Sequence, residues 1–410
     1  MKRFSLITIA VLFAMTLNAQ ISVWDGTVEP CDTTCSGTAD DPILIENAAQ
    51  LAYFSHLQFC EGELKYWKLT TDVDLADIEW NPIGYNDITV CSGFNGYFNG
   101  DGHTVYHLSN ALFSNTDEGF IKNITVKDSE YQSNGEFGDF GFITFGAPLI
   151  ENCHNYGCIT IETNYPLNVG GVAGECMTMR HCSNHGSLIV KESGTGLCYV
   201  GGLVGKAAIV DISYNTGVVN VDLSCDQCKT GGVCGIISDM ASSCYNAGSI
   251  VAANVGGIVA DVVGSANINN CYYINAIISA NSYGTPKSES EMQTQVFVDL
   301  LNNCGNVYIF DDMNVNGGFP IFGQSYSISE NESRHRILIY PNPAQNTVNI
   351  TFSDDTDCQS VEIYAIDGRL LKSQISNLET VDILKLNAGV YILKVTMADG
   401  KEFTERIVKL

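Results

Sequence analysis

Apolar residues in this chain fall in short runs. Ser187-Leu-Ile-Val190 and Val218-Val-Asn-Val221 are typical, with β-branched side chains alternating against polar ones. That pattern predicts short, half-buried strands. Gly and Asn bound the runs, and they tolerate the positive φ that tight turns need. Helical periodicity is confined to two places. One is Ile45 to Leu57, with Leu51, Ala52 and Phe54 on its apolar side. The other follows the capping-box pattern Ser288-Glu-Ser-Glu291 and runs to about Leu301. Trp67 to Leu75 reads as a strand.

The runs recur. Cys153-His-Asn155-Tyr-Gly157, Cys182-Ser-Asn184-His-Gly186, Ser213-Tyr-Asn215-Thr-Gly217 and Cys244-Tyr-Asn246-Ala-Gly248 align, with Asn270-Cys-Tyr-Tyr273 as a degenerate fifth copy. Between them fall Gly170-Gly171-Val-Ala-Gly, Gly201-Gly202-Leu-Val-Gly, Gly231-Gly232-Val-Cys-Gly and Gly256-Gly257-Ile-Val-Ala. A unit of ~30 residues cannot bury a core alone, but stacked copies bury a continuous one. Propeller blades need ~40 residues, so a β-helix or related β-solenoid is the predicted architecture. Equivalent residues then lie ~4.8 Å apart, which favours a ladder of amide hydrogen bonds along Asn155, Asn184, Asn215 and Asn246. The two helical segments are read as caps over the solenoid ends.

The chain ends differ from this middle. Met1-Lys-Arg3 precedes an apolar run from Phe4 to Leu17 and a small residue at Ala19, the pattern of a secretory signal peptide over 1–19. The run is short for a membrane span, and none is expected in the mature chain. The C-terminal 75 residues read as alternating strands joined by tight Asp-Gly turns, hence a small immunoglobulin-like β-sandwich. The expected order is signal peptide 1–19, capped solenoid 20–326 (repeats about 138–280, C-terminal cap about 283–326), linker 327–335 and sandwich 336–410. The fold class is all-β.

Charge adds an exclusion. The 410 residues carry 20 Lys and Arg against 46 Asp and Glu, a net charge of −26. The excess acid lies in the body and not in residues 336–410, which carry 8 basic and 10 acidic residues. Such a field repels phosphate backbones, so no nucleic-acid partner is expected. All 16 cysteines lie beyond the signal segment, which permits an oxidising compartment.

Two families are then resembled. Gly202-Leu-Val-Gly205 and its copies resemble the GLUG motif of bacterial surface proteins. Gly37-Thr-Ala-Asp-Asp-Pro-Ile-Leu-Ile45, Pro82-Ile-Gly84 and Phe98-Asn-Gly-Asp-Gly-His-Thr-Val105 match its flanks in order. That resemblance implies architecture more than activity, since GLUG repeats occur in adhesins and in an immunoglobulin-A peptidase family. The tail resembles the C-terminal sorting domain of the type IX (Por) secretion system of Bacteroidota. Pro341, Asn342, Pro343, Asp367, Gly368, Gly389, Tyr391, Gly400 and Lys409 carry that likeness. It implies type IX machinery as a partner and delivery to the cell surface or beyond.

Candidate chemistry is sparse. None of the seven histidines precedes Glu, so the His-Glu-x-x-His of a zinc peptidase is missing. His103 and His107 have the right gap but sit on an expected strand, where four residues span ~13 Å. Cys31 with Cys35, and Cys225 with Cys228, are read as local disulfides. The column Cys153, Cys182, Cys244, Cys271 is expected to hold buried free thiols, because coil spacing exceeds disulfide reach. Polysaccharide hydrolase or lyase chemistry needs convergent carboxylates, and no distinctive spacing supplies them. No cofactor or metal site is expected. Tyr156, Tyr214, Tyr245 and Tyr272 fall near one turn and form either a strip for a host glycan or protein, or structural packing. The sequence therefore favours adhesion or ligand binding. A β-helical carbohydrate-active enzyme and an inert surface scaffold are the alternatives.

Overall fold

The computed structural model describes residues 21–323 and 337–409, apart from internal segments at 60–63, 86–92, 135–137, 193–196, 277–280, 303–306, 341–343, 353–357, 366–368, 376–379 and 398–401 and a few single positions. The signal segment 1–19 and the linker 327–335 lie outside the described residues. The chain divides into two compact units, 1–323 and 324–410.

The first unit is a β-solenoid of about seven turns. Each full coil contributes strands to three parallel stacks. The largest sheet has 18 strands. A second sheet stacks residues 130–134, 158–163, 188–192, 219–221 and 250–251. A third stacks 168–170, 198–201, 228–231 and 254–256. Register is fixed between coils: Asn184 pairs with Asn155 and Asn215, and Asn215 with Asn246. Gly170, Gly201, Gly231 and Gly256 pair likewise.

The two repeated blocks explain each other. The Asn side chains are buried and hand a hydrogen bond from coil to coil, each at 2.8 Å. Gly171, Gly202 and Gly232 lie against the amides of Asn184, Asn215 and Asn246, where a Cβ would overlap them. Gly186, Gly217 and Gly248 each abut a glycine carbonyl of the preceding coil (Gly157, Gly186 and Gly217), leaving no room for a Cβ. Gly257 packs on the Tyr273 ring instead, since Tyr273 replaces the ladder Asn in that coil.

The expected helices and strands shift in three ways. The first helix, α1, spans Ala48–Ser55, because Asn47 caps it by accepting from the Gln50 N–H at 2.8 Å. Phe54 from α1 enters the core beside Trp67, 4.3 Å between ring centres, and its full burial contributes about 2–3 kcal/mol. The strand expected over 67–75 is two strands, Lys65–Leu69 and Val73–Asp74, separated by a solenoid corner. The Ser288 capping box is present, but the helix after it breaks into α2 (Glu289–Met292) and α3 (Gln295–Leu301), because Thr294 starts a second cap. These helices do not simply cover the end of the solenoid. Thr285–Lys287 pairs as its last rung, and the chain then folds back along the flank.

The second unit has a three-stranded and a four-stranded antiparallel sheet around Val348, Ile350, Val361, Ile363, Leu393, Val395 and Ile407, the two sheets of an immunoglobulin-like sandwich. Its strands include Gly389–Met397 and Glu402–Lys409.

Candidate functional site

Among the described residues, the solenoid has a covered flank and an open corner. On the flank, outward positions of successive coils stack His154, Ser183, Tyr214, Tyr245 and Tyr272 in register. Tyr156 is not in this column. It stands two residues further on and stacks on His185, with ring centres 4.2 Å apart. Two of the four tyrosines expected as a strip are closed to solvent. Tyr214 is 4% exposed and Tyr245 0%, while Tyr156 is 43% exposed. Met292, Phe297, Leu301 and Tyr308 of the returning segment cover the two buried rings. Phe322 lies 4.9 Å from Tyr214. The Tyr245 hydroxyl donates to the Pro320 carbonyl, and Asn316 Nδ2 donates to Tyr245 Oη at 3.0 Å. Tyr214 and Tyr245 are packed inside this flank.

Beneath this segment lies a chain that resembles a nucleophile, base and orienting group. Ser183 Oγ is 2.9 Å from His154 Nδ1, and His154 Nε2 is 3.2 Å from Asn152 Oδ1. His185 Nε2 holds the same hydroxyl from the other side at 3.1 Å. A nucleophile must meet substrate, and Ser183 is 1% exposed. Burial pushes His154 down to about 3 and His185 to about 4. The set is a neutral packing network. His103 and His107 face Asp72 and Asp74 at 2.9 and 2.8 Å, and the Asp74 hydrogen bond raises His107. Among the described residues no group of three His, Cys, Asp or Glu is arranged to hold a metal.

The cysteines divide by local geometry. Cys225 and Cys228 form a disulfide. Cys31 and Cys35 do not. The Cys31 thiol is turned to the Gln50 carbonyl at 3.8 Å and Cys35 to that of Asp32 at 3.7 Å. Cys153, Cys182, Cys244 and Cys271 are buried free thiols, each pointing at the carbonyl two residues before it.

The open corner is a cleft of about 230 Å³ where the second sheet begins. Among the described residues, nothing pairs with the outer edge of its first strand, Glu130–Asn134. Tyr131 and Ser133 occupy the inward positions there. In later coils Ile159, Leu188 and Val219 align with Tyr131, and Ile161, Val190 and Val221 with Ser133. Ser133 Oγ is enclosed without a hydrogen-bond partner. Tyr131 stacks on Phe140 at 3.9 Å. Asp139 borders the cleft; the Asn168 N–H donates to its Oδ1 at 2.9 Å, while burial pushes its carboxyl up. Sequence reasoning missed these residues. The signal was a serine in an aliphatic column, readable only once the register was extended one coil upstream of the obvious repeats.

In the second unit, Gly389 opens its strand with φ +157, the Tyr391 hydroxyl donates to the Asn387 carbonyl at 2.8 Å, and Lys409 bridges to Ala344. Pro341, Asn342, Pro343, Asp367, Gly368 and Gly400 lie outside the described residues. Residues 338–409 match the secretion system C-terminal sorting domain. The sorting domain implies the type IX machinery as a partner, and the chain is secreted through it to the cell surface or the extracellular space. Among the described residues no helix is long and apolar enough to cross a membrane.

The chain is also similar to proteins named for one activity. The chain is 27% identical over 237 residues to an immunoglobulin A1 protease of Streptococcus sanguinis, covering 56% of this chain and 11% of that protein. It thus spans about a ninth of that relative's length. A crystal structure of a "putative immunoglobulin A1 protease" from Bacteroides ovatus shares the fold with a TM-score of 0.53 at 20% identity, covering 70% of this chain and 94% of that one.

Proposed function

We propose that this exported protein binds a ligand through its β-solenoid, as a surface adhesin or binding module, and does not catalyse a reaction. The observation that carries the reading is the corner cleft, a concave site with an unpartnered buried hydroxyl and a carboxylate at its border. Concave sites with a few convergent polar groups are where ligands bind. The constellation closest to a catalytic set, Ser183 with His154, is sealed under the returning segment. The protease name of the Streptococcus sanguinis relative is weighed against the 11% of its length that is matched and against the missing His-Glu-x-x-His motif. The reading includes removal of residues 1–19 as a signal peptide and GLUG-like repeats as the scaffold.

The test is a glycan and host-protein binding array with residues 20–410, run beside assays for polysaccharide depolymerisation and immunoglobulin A cleavage. Saturable binding without cleavage is expected. Turnover in either assay would replace the proposal with an enzyme, and neither binding nor turnover would leave an inert scaffold.

A further inference from the structure

We infer that the corner cleft takes a primary ammonium group, presented by a lysine side chain or an amino sugar; this rests on the binding role proposed above and names its ligand chemistry.

The argument begins with the repeat. A solenoid column is apolar because each inward side chain packs on its equivalent in the next coil. Ser133 breaks a column of Ile161, Val190 and Val221, and Tyr131 breaks one of Ile159, Leu188 and Val219. Both departures fall on Glu130–Asn134, an edge strand of this sheet whose outer side meets no described strand, and both residues line the cleft. A buried hydroxyl without a partner costs about 1–3 kcal/mol, and this one, unlike the equally enclosed Thr116 and Thr230 hydroxyls, belongs to a residue that lines the cleft.

The polar groups select the ligand. Ser133 Oγ, the Asp139 carboxylate and the side-chain carbonyl of Asn115, at the exposed rim, all accept hydrogen bonds. An ammonium carries three donors and no acceptor. The stacked Tyr131 and Phe140 rings supply an aromatic wall, which attracts a cation through the ring quadrupole. Lys206, whose charge also reaches Asp139, is engaged by Glu175 at 2.8 Å and does not line the cleft. The field of a chain at −26 draws cations inward and repels acidic ligands. At about 230 Å³ the cleft is smaller than the ~300–1,000 Å³ of drug-sized sites, so it suits one side chain or one ring.

The experiment is calorimetric titration of residues 20–410 with Nα-acetyl-lysine methylamide and with glucosamine, each beside its N-acetylated counterpart. At least one free amine should bind saturably, and its acetylated form should not. Ser133→Val restores the aliphatic column, and Asp139→Asn retains an acceptor for the Asn168 N–H. Each should weaken binding at least tenfold while leaving the urea midpoint unchanged or higher. Equal binding of the acetylated forms, saturation by neither amine, or indifference to both variants would overturn the inference. Methyl α-glucoside binding that both variants abolish would sink the ammonium assignment and leave the surface-binding role standing.

Discussion

Asn184 donates its side-chain amide to Oδ1 of Asn215 at 2.8 Å, across one coil spacing. The same Nδ2 donates to the Gly186 carbonyl at 3.0 Å, inside its own turn. One side chain therefore shapes a turn and joins it to the next, and Asn215 repeats the arrangement toward Asn246.

Removing a middle rung should be costly. Asn215→Ala deletes the bonds to Gly217 and Asn246 and strands the bond from Asn184, all in a buried column. A loss of about 3 kcal/mol is expected, read as a lowered urea midpoint of residues 20–410. Gly217→Ala should cost more, since its Cβ meets the Gly186 carbonyl and backbone cannot move aside cheaply.

The returning segment should detach before the solenoid melts. Tyr245→Phe removes the donor to Pro320 and the acceptor for Asn316 while keeping the ring. About 1–2 kcal/mol of local stability should be lost. Limited proteolysis with mass spectrometry should then show faster cleavage within 307–323 and an intact solenoid. Unchanged cleavage would show that ring packing alone holds the segment.

Acid should weaken the flank in a defined window. His154 and His185 are held near 3 and 4, below the ordinary 6.5, because burial disfavours their charged form. Unfolded chains therefore take up protons first as the pH falls below about 6.5, and stability drains away until the folded values are reached. The urea midpoint should fall from pH 7 to pH 4.5. Because falling pH also relieves acidic repulsion, the useful quantity is the difference from His154→Gln, whose profile should be flatter.

Deleting residues 336–410 should retain the passenger in the periplasm, detected by fractionation and by loss of surface labelling with an antibody to the solenoid. Normal surface display of the truncated chain would refute a sorting role for this segment.

What the sequence determined by itself was everything that repeats. A unit of ~30 residues has to stack, and stacking forces equal residues into equal places, so Asn155 to Asn246 and the paired glycines could be read as columns before any coordinates. The tail was legible for a related reason: its short strands and tight turns are local signals. The sequence said that Tyr214 and Tyr245 recur, but not what covers them. Periodicity reports which face of a strand a residue takes, and partners from residues 292–322 come from a segment with no fixed spacing to the repeat. Cys31 and Cys35 illustrate the same limit, since proximity in sequence left the direction of each thiol undecided. The corner cleft was decided by tertiary structure alone. It lies where the second sheet begins, at Glu130–Asn134, and there a serine in an aliphatic column lines a cleft.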